Sequence, residues 1–394
     1  VRGEQSSPLA DSAIPGLVEI VREWGRIGVI GFGGPPAHIA LFRDLCVIRR
    51  GWLSGEQFED AIAATNLLPG PGSTQMAIFC AWRLRGVRGA LLGGGAFVVP
   101  GLAAILLLAL LFLGGKPPLW VRGAGAGAGA AVAAVAVRAG FGLVPSSWER
   151  AHETHPLRWA LYGAFGLAAA ATLGPWLVLV LLGCGAFELL RRGSTGVTGV
   201  MSTHGFWVLP VAAAATGGVG ALIWVAFKVG ALSYGGGFVI VPLMQADAVS
   251  HYHWMTSGEF LNAVALGQVT PGPVTHTVAV VGYAADGIRG ALLASLVAFA
   301  PSFSFILLGA DRFDRLRADA RARAFLDGAG PAAIGAILGS AIPLSLALSE
   351  AWQLAVLAAA AVALLAMRRS VVLTLIAAGA AGVFLAVLGA PLPA

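Results

Sequence analysis

Long apolar runs alternate along the chain with short clusters of arginine, and several of the runs are apolar on every side at the helical period. Residues 89 to 114 hold no charge over a length that crosses a bilayer core. Further spans are expected at 121 to 145, 157 to 172 and 175 to 190, with later counterparts at 289 to 310, 325 to 348, 351 to 367 and 370 to 389. A helix that is apolar all round needs lipid or a very large core, so the pattern points to an all-α polytopic membrane protein.

Other apolar runs are interrupted. The stretch GRIGVIGFGGPPAHIALF, residues 25 to 42, places Gly31, Gly33, Gly34, Pro35 and Pro36 where a continuous helix needs its backbone hydrogen bonds. A second interruption, Pro69 to Pro71, reads Pro-Gly-Pro. Both recur. At an offset of 202, residues 26 to 80 match 228 to 282 without a gap, pairing Gly33 and Gly34 with Gly235 and Gly236, Trp52 with Trp254, and Pro69 to Pro71 with Pro271 to Pro273. After one deletion the offset becomes 201, and RGALL from Arg88 meets RGALL from Arg289. The chain therefore reads as two homologous halves, 1 to 200 and 201 to 394, joined by a polar linker at 191 to 205 and a membrane helix at 206 to 224.

Charge adds the orientation. Arg49, Arg50, Arg83, Arg85 and Arg88 flank the first Pro-Gly-Pro segment, whereas the matching flanks of the second half hold His251, Tyr252, His253, Asp286 and Arg289. The second half gathers its arginines from Arg312 to Arg323, where the first half has only Lys116 and Arg122. Because cytoplasmic loops carry the Lys/Arg excess, the positive side has swapped and the halves are expected in inverted topology. The 19 uncharged residues from 206 to 224 supply the odd crossing that inversion needs, giving nine crossings beside the broken or re-entrant helices.

Composition narrows the function classes. The 394 residues are 58% hydrophobic and 11% charged, with a mean hydropathy of +0.83. The net charge of +6 sits in short inter-span clusters, a topology signal and not a nucleic-acid face. The polar start of the sequence lacks the layout of a cleavable signal. Cys46, Cys80 and Cys184 are scattered, which supports neither a disulfide framework nor a metal site, and no cofactor is expected. No HExxH, Ser/His or paired-carboxylate set lies in the apolar segments and no Walker A motif is present, so neither an enzyme nor an ATP-driven pump is expected.

Broken helices in an inverted repeat are the best sequence pointer to a transporter's midplane site. A half-helix that starts after a break presents free N–H groups and the positive end of its dipole, which favours an anion. The candidate walls are Gly33, Gly34, Gly235, Gly236, Gly70, Gly72 and Gly272. Arg26 falls on Lys228 at the same offset, and two cations at related positions could balance a dianion. Arg26 has an alternative reading, snorkelling in a turn with Glu19, Arg22 and Glu23, whereas Lys228 has no charged neighbour in its own run. Ser73, Thr74, Thr275 and His276 follow the Pro-Gly-Pro breaks and either bind oxyanion oxygens or cap helices. His38, Asp60, Asn66 and Gln268 are candidates for ion coupling or for bridging helices.

The motifs GFGGPPAHIALF and LLPGPGSTQMA, with their echoes SYGGGFVIVPLM and VTPGPVTHTVAVVGY, resemble the signatures of the two halves of the chromate ion transporters. The resemblance covers nearly the whole chain and is strongest at 25 to 100 and 226 to 302. It implies a secondary active carrier that exports chromate from the cytoplasm across the bacterial inner membrane and confers resistance, with antiparallel halves. Sulfate, which chromate mimics, is the related substrate, and a transporter or passive channel for sulfate or another oxyanion is the alternative. A homodimer is compatible with the sequence. One departure is that Gly237 and Phe238 stand where the first half has Pro35 and Pro36.

Overall fold

A computed structural model describes residues 14–65, 68, 70–115, 117–151, 156–172, 176–193, 217–233, 238–309 and 319–393. Among these residues every regular element is helical. The first half opens with α1 (Leu17–Ile30), followed by α2 (Pro35–Arg43) and a π turn at Asp44–Arg49. The chain reverses between them because Gly33 and Gly34 take φ of +100° and +76°, a region open to glycine at little cost. Pro35 and Pro36 then fix the first turn of α2. Arg50, beyond the π turn, reaches back to Glu19 and Glu23 at 3.4 Å each, so α1 and α2 run antiparallel. At 1.5 Å per residue α1 is about 21 Å long, short of a hydrocarbon core of roughly 30 Å. The first broken segment is thus a helical hairpin whose first arm is too short to cross that core.

The second broken segment pairs α3 (Gly55–Thr65) with the start of α4 (Gly72–Leu113). The helix α4 kinks at Arg85 (φ −144°, ψ 26°) and Gly86 (φ 58°, ψ −148°), dividing a short returning arm from a long apolar span. The rest of the half is α5 (Leu119–Ala130), α6 (Val132–Ala151), α7 (Pro156–Thr172) and α8 (Leu177–Gly193).

The second half repeats the plan in detail. Its hairpins are α9 (Gly218–Leu232) with α10 (Ile240–Gln245) and a π turn at Ala246–His251, then α11 (Ser257–Val269) with the 3-10 turn Val274–His276 leading into α12 (Thr277–Gly309). The two π turns lie 202 residues apart, and α12 kinks at Asp286 (φ −153°, ψ 40°) and Gly287 (φ 56°, ψ −148°), the counterparts of Arg85 and Gly86. Next come α13 (Ala320–Leu346), α14 (Ala351–Ala361, extended by a π turn at Val362–Ala366) and α15 (Val371–Val387). The matched kinks and π turns put the homology of the halves in the backbone as well as in the letters.

The halves are interlocked. Ile105 and Ala109, late in α4, are buried in a core with Leu222, Phe260 and Val278 of the second half. Phe299 and Ile306, late in α12, are buried with Trp24, Phe42 and Met76 of the first. Glycines carry the backbones close enough to hold the outer helices: a Cβ on Gly127 of α5 would stand 2.2 Å from the Ala378 carbonyl of α15, and one on Gly335 of α13 would stand 1.8 Å from that of Gly163 in α7. Small residues at such crossings are how helices pack where lipid removes the hydrophobic drive. The AGAGAG tract is this packing surface.

Four helical stretches are long and apolar enough to cross a membrane: Gly72–Leu113, Leu119–Glu149, Val274–Gly309 and Ala320–Leu346. The expected crossing at 206 to 224 lies mostly outside the described residues, and its final part, from Gly218, belongs to hairpin helix α9 instead. Much of the 191 to 205 linker also lies outside them.

Candidate functional site

The hairpin tips meet across the halves. The Gly31 carbonyl, at the end of α1, accepts the Gly272 N–H at 2.8 Å from the second Pro-Gly-Pro and His38 Nε2 at 2.9 Å. A carbonyl can only accept, so His38 carries its proton on Nε2 and locks the tip from behind. Gly272 also sits against Gly101 of α4, and a Cβ on Gly101 would fall 2.3 Å from the Pro271 carbonyl. The reciprocal contact places Gly70, of the first Pro-Gly-Pro, beside Ser302 of α12. Each Pro-Gly-Pro therefore rests on the long helix of the other half.

In front of the tips lies a cavity of about 510 Å³. Gly33 and Gly34 from the first tip, Gly70 and Gly72 from the second, and Gln268 from α11 form part of its wall. The opposite wall comes from α6, α13 and the start of α15, and it brings in Arg138. Arg138 is half-buried, is the only charged residue on the wall, and has no carboxylate partner among the described residues. Gln268 is 8% exposed, and its Nε2 has no hydrogen-bond partner among the described residues. A half-buried cation without a carboxylate partner on a cavity wall, with a polar amide residue beside it, makes a site for oxygen-rich anions.

The backbone donors differ from expectation. The first two residues of α2 are prolines and carry no N–H, and the N–H groups of Ala37 and His38 both turn back to the Gly34 carbonyl at 3.1 and 3.2 Å. The first turn of α2 therefore offers its dipole but no free donor, and the N–H groups left without an acceptor among the described residues at this break are those of Gly33 and Gly34, both on the cavity wall. At α4 the N–H groups of Thr74 and Gln75 return to Pro71 at 2.9 and 3.0 Å. Those of Gly72 and Ser73 have no acceptor among the described residues, and Gly72 faces the cavity.

The structure does not bring the expected cation pair together at this cavity. Arg26 is exposed, lies 3.9 Å from Glu23 and does not line the wall. Lys228 is buried, and the absence of a charged neighbour in its own run proves misleading. Asp247, across the hairpin in the second π turn, takes its Nζ at 2.5 Å, and the Trp224 ring lies 5.6 Å away. The pair has no copy in the first half, because Leu45 stands at the position of Asp247.

Ser73, Thr74, Thr275 and His276 are buried and do not line the cavity, and neither α4 nor the 3-10 turn has a side-chain cap. His38 is buried behind the tip, and Asp60 is exposed on α3. Asn262, the counterpart of Asp60, lines a second cavity of about 210 Å³ with Arg122 and Glu259, where opposite charges are both present. Gly235, Gly236, Asn66 and Pro69 lie outside the described residues. The residue that sequence reasoning missed is Arg138, whose signal was a lone arginine deep in the 121 to 145 run.

Comparison with known proteins is consistent over most of the chain. The sequence profile of the chromate transporter family matches residues 18–189 and 220–383. A chromate transport protein of Cupriavidus metallidurans is 32% identical over 381 residues, 93% of this chain and 92% of that protein. A chromate transport protein of Pseudomonas aeruginosa is 29% identical over 344 residues, 82% of this chain and 80% of that protein. A probable chromate transport protein of Synechococcus elongatus is 28% identical, covering 83% and 84%. No solved structure matches the chain.

Proposed function

From the premise that this chain belongs to the chromate transporter family, a family of membrane transporters and not of enzymes, we propose that it exports chromate from the cytoplasm as a secondary active carrier and so confers resistance. The observation that carries this reading is the cavity of about 510 Å³, walled by the glycine breaks of both first-half hairpins and charged, among the described residues, by one arginine with no carboxylate. An arginine together with the N-terminal dipole of α4 presents roughly 1.5 positive charges to a tetrahedral dianion. That is strong enough to draw the ion from water and leaves it less than fully neutralised, so release stays feasible.

The same wall supports a side for the opening. The cavity extends to Ser146 and Ser147 near the end of α6 and to Val371, which follows Arg368 and Arg369. By the Lys/Arg rule this is the cytoplasmic face of a bacterial inner membrane, so the conformation described is the one that loads. Alternating access then rocks one half against the other about the crossing of α4 and α12, with inverted halves supplying the two end states.

Flux into proteoliposomes tests the proposal, with labelled chromate and sulfate compared at zero and at an imposed proton gradient. Uphill chromate movement that stops when the gradient collapses is the expected result. Downhill movement alone would make the protein a channel, and sulfate flux without chromate flux would make it a carrier of another oxyanion.

A further inference from the structure

Resting on the carrier reading above, we infer that Arg138 and Gln268 are the side chains that bind the transported oxyanion, and that the chain holds one such site and not two. The argument begins with what faces the cavity. Arg138 is its one charged residue among the described residues, and the Gln268 beside it has a buried amide nitrogen with no acceptor among them. An unmatched buried amide donor is costly, and a turn of the Gln268 side chain toward the cavity would match it with an anion oxygen. The guanidinium adds two parallel donors that fit two oxygens of a tetrahedral oxyanion, a geometry lysine cannot reproduce.

The two residues come from different halves. Arg138 sits on α6 of the first, and Gln268 on α11 of the second. A substrate held between them bridges the bodies that move against each other, so its binding biases their relative position. The internal symmetry is broken at this point: at the offset of 201 the counterpart of Arg138 is Gly339, and at 202 that of Gln268 is Asn66. The related position in the second half thus has no cation. The second cavity has both Arg122 and Glu259 on its wall, so its charges are mixed and it does not substitute for the first.

The test uses the full-length protein in detergent and in proteoliposomes, with chromate and sulfate as the probes. Wild type is expected to bind one ion per chain. R138Q should abolish saturable binding, R138K should weaken it at least tenfold although the charge is kept, and Q268A should raise KM several-fold. R26Q, outside the cavity, should leave KM unchanged. R138K guards against misfolding, since it keeps the charge and most of the volume, and a monodisperse R138K with wild-type affinity would overturn the assignment. So would two ions bound per chain. A wild type that binds sulfate but not chromate through Arg138 would overturn the chromate reading and leave this inference standing. Chromate transport untouched by R138Q would do the reverse.

Discussion

Lys228 and Asp247 are each under a tenth exposed and meet at 2.5 Å, so each is the other's main compensation for lost hydration. Truncating one partner of a buried pair leaves a bare charge and costs about 3–5 kcal/mol, whereas replacing both with apolar side chains is often neutral. K228A should therefore lower the melting temperature and the amount of protein in the membrane. The double variant K228M/D247L, which copies the Leu45 of the first half, should recover most of both. Thermal unfolding followed by size-exclusion chromatography reads this directly, and a fully stable K228A would contradict it. Sequence alone identified Lys228 as a buried cation but not its partner, because 19 residues and a chain reversal separate the two. Arg138 was legible by the same rule of lone intramembrane charges. It needs no partner in its own sequence neighbourhood, since the cavity supplies its environment.

Hairpin geometry sets what the glycines are for. Gly34 and Gly95 both have open space where a Cβ would go, so sterics with neighbours cannot distinguish them. Their backbones do: Gly34 has φ of +76°, and Gly95 lies inside the helical span of α4. An L side chain at left-handed φ costs roughly 1–2 kcal/mol, while alanine for glycine within a helix gains about 0.5–1 kcal/mol. G34A should thus lower stability and slow transport by distorting the cavity wall, and G95A should match or exceed wild type in the same melting and flux assays. Equal effects of the two would show that the tip conformation does not matter. The breaks themselves were readable from Gly and Pro, which end helices wherever they fall. The missing donors of α2 were readable too, in Pro35 and Pro36, but only the return of the Ala37 and His38 N–H groups to Gly34 leaves the donors of this tip to Gly33 and Gly34. What the letters could not give is that the tip of one half docks on the Pro-Gly-Pro of the other, since that contact depends on how two distant hairpins pack.

At the scale of the molecule, reciprocal burial of the late parts of α4 and α12 in each other's half is what a two-fold relation between the halves requires. The axis direction decides whether that relation inverts topology. The kinks provide the place to ask, because Arg85 with Gly86 and Asp286 with Gly287 are the same backbone corner carrying opposite charges. If cytoplasmic loops attract the arginines, Arg83, Arg85 and Arg88 put the first corner inside, and an inverted partner puts the second outside. Val87 and Ile288 lie one residue beyond each corner, 54% and 51% exposed, while the native Cys46, Cys80 and Cys184 are all buried and give little background. A membrane-impermeant maleimide applied to intact cells should label I288C at once and V87C only after permeabilisation. Labelling of both from the same side would make the halves parallel, leave the loading face of the cavity undetermined by the arginine rule, and remove the symmetry argument for alternating access. Opposite-sided labelling would tie the charge swap along the chain to the interlocked packing of α4 and α12, since only an antiparallel pair of halves can send each long helix into the core of the other from opposite faces of the bilayer.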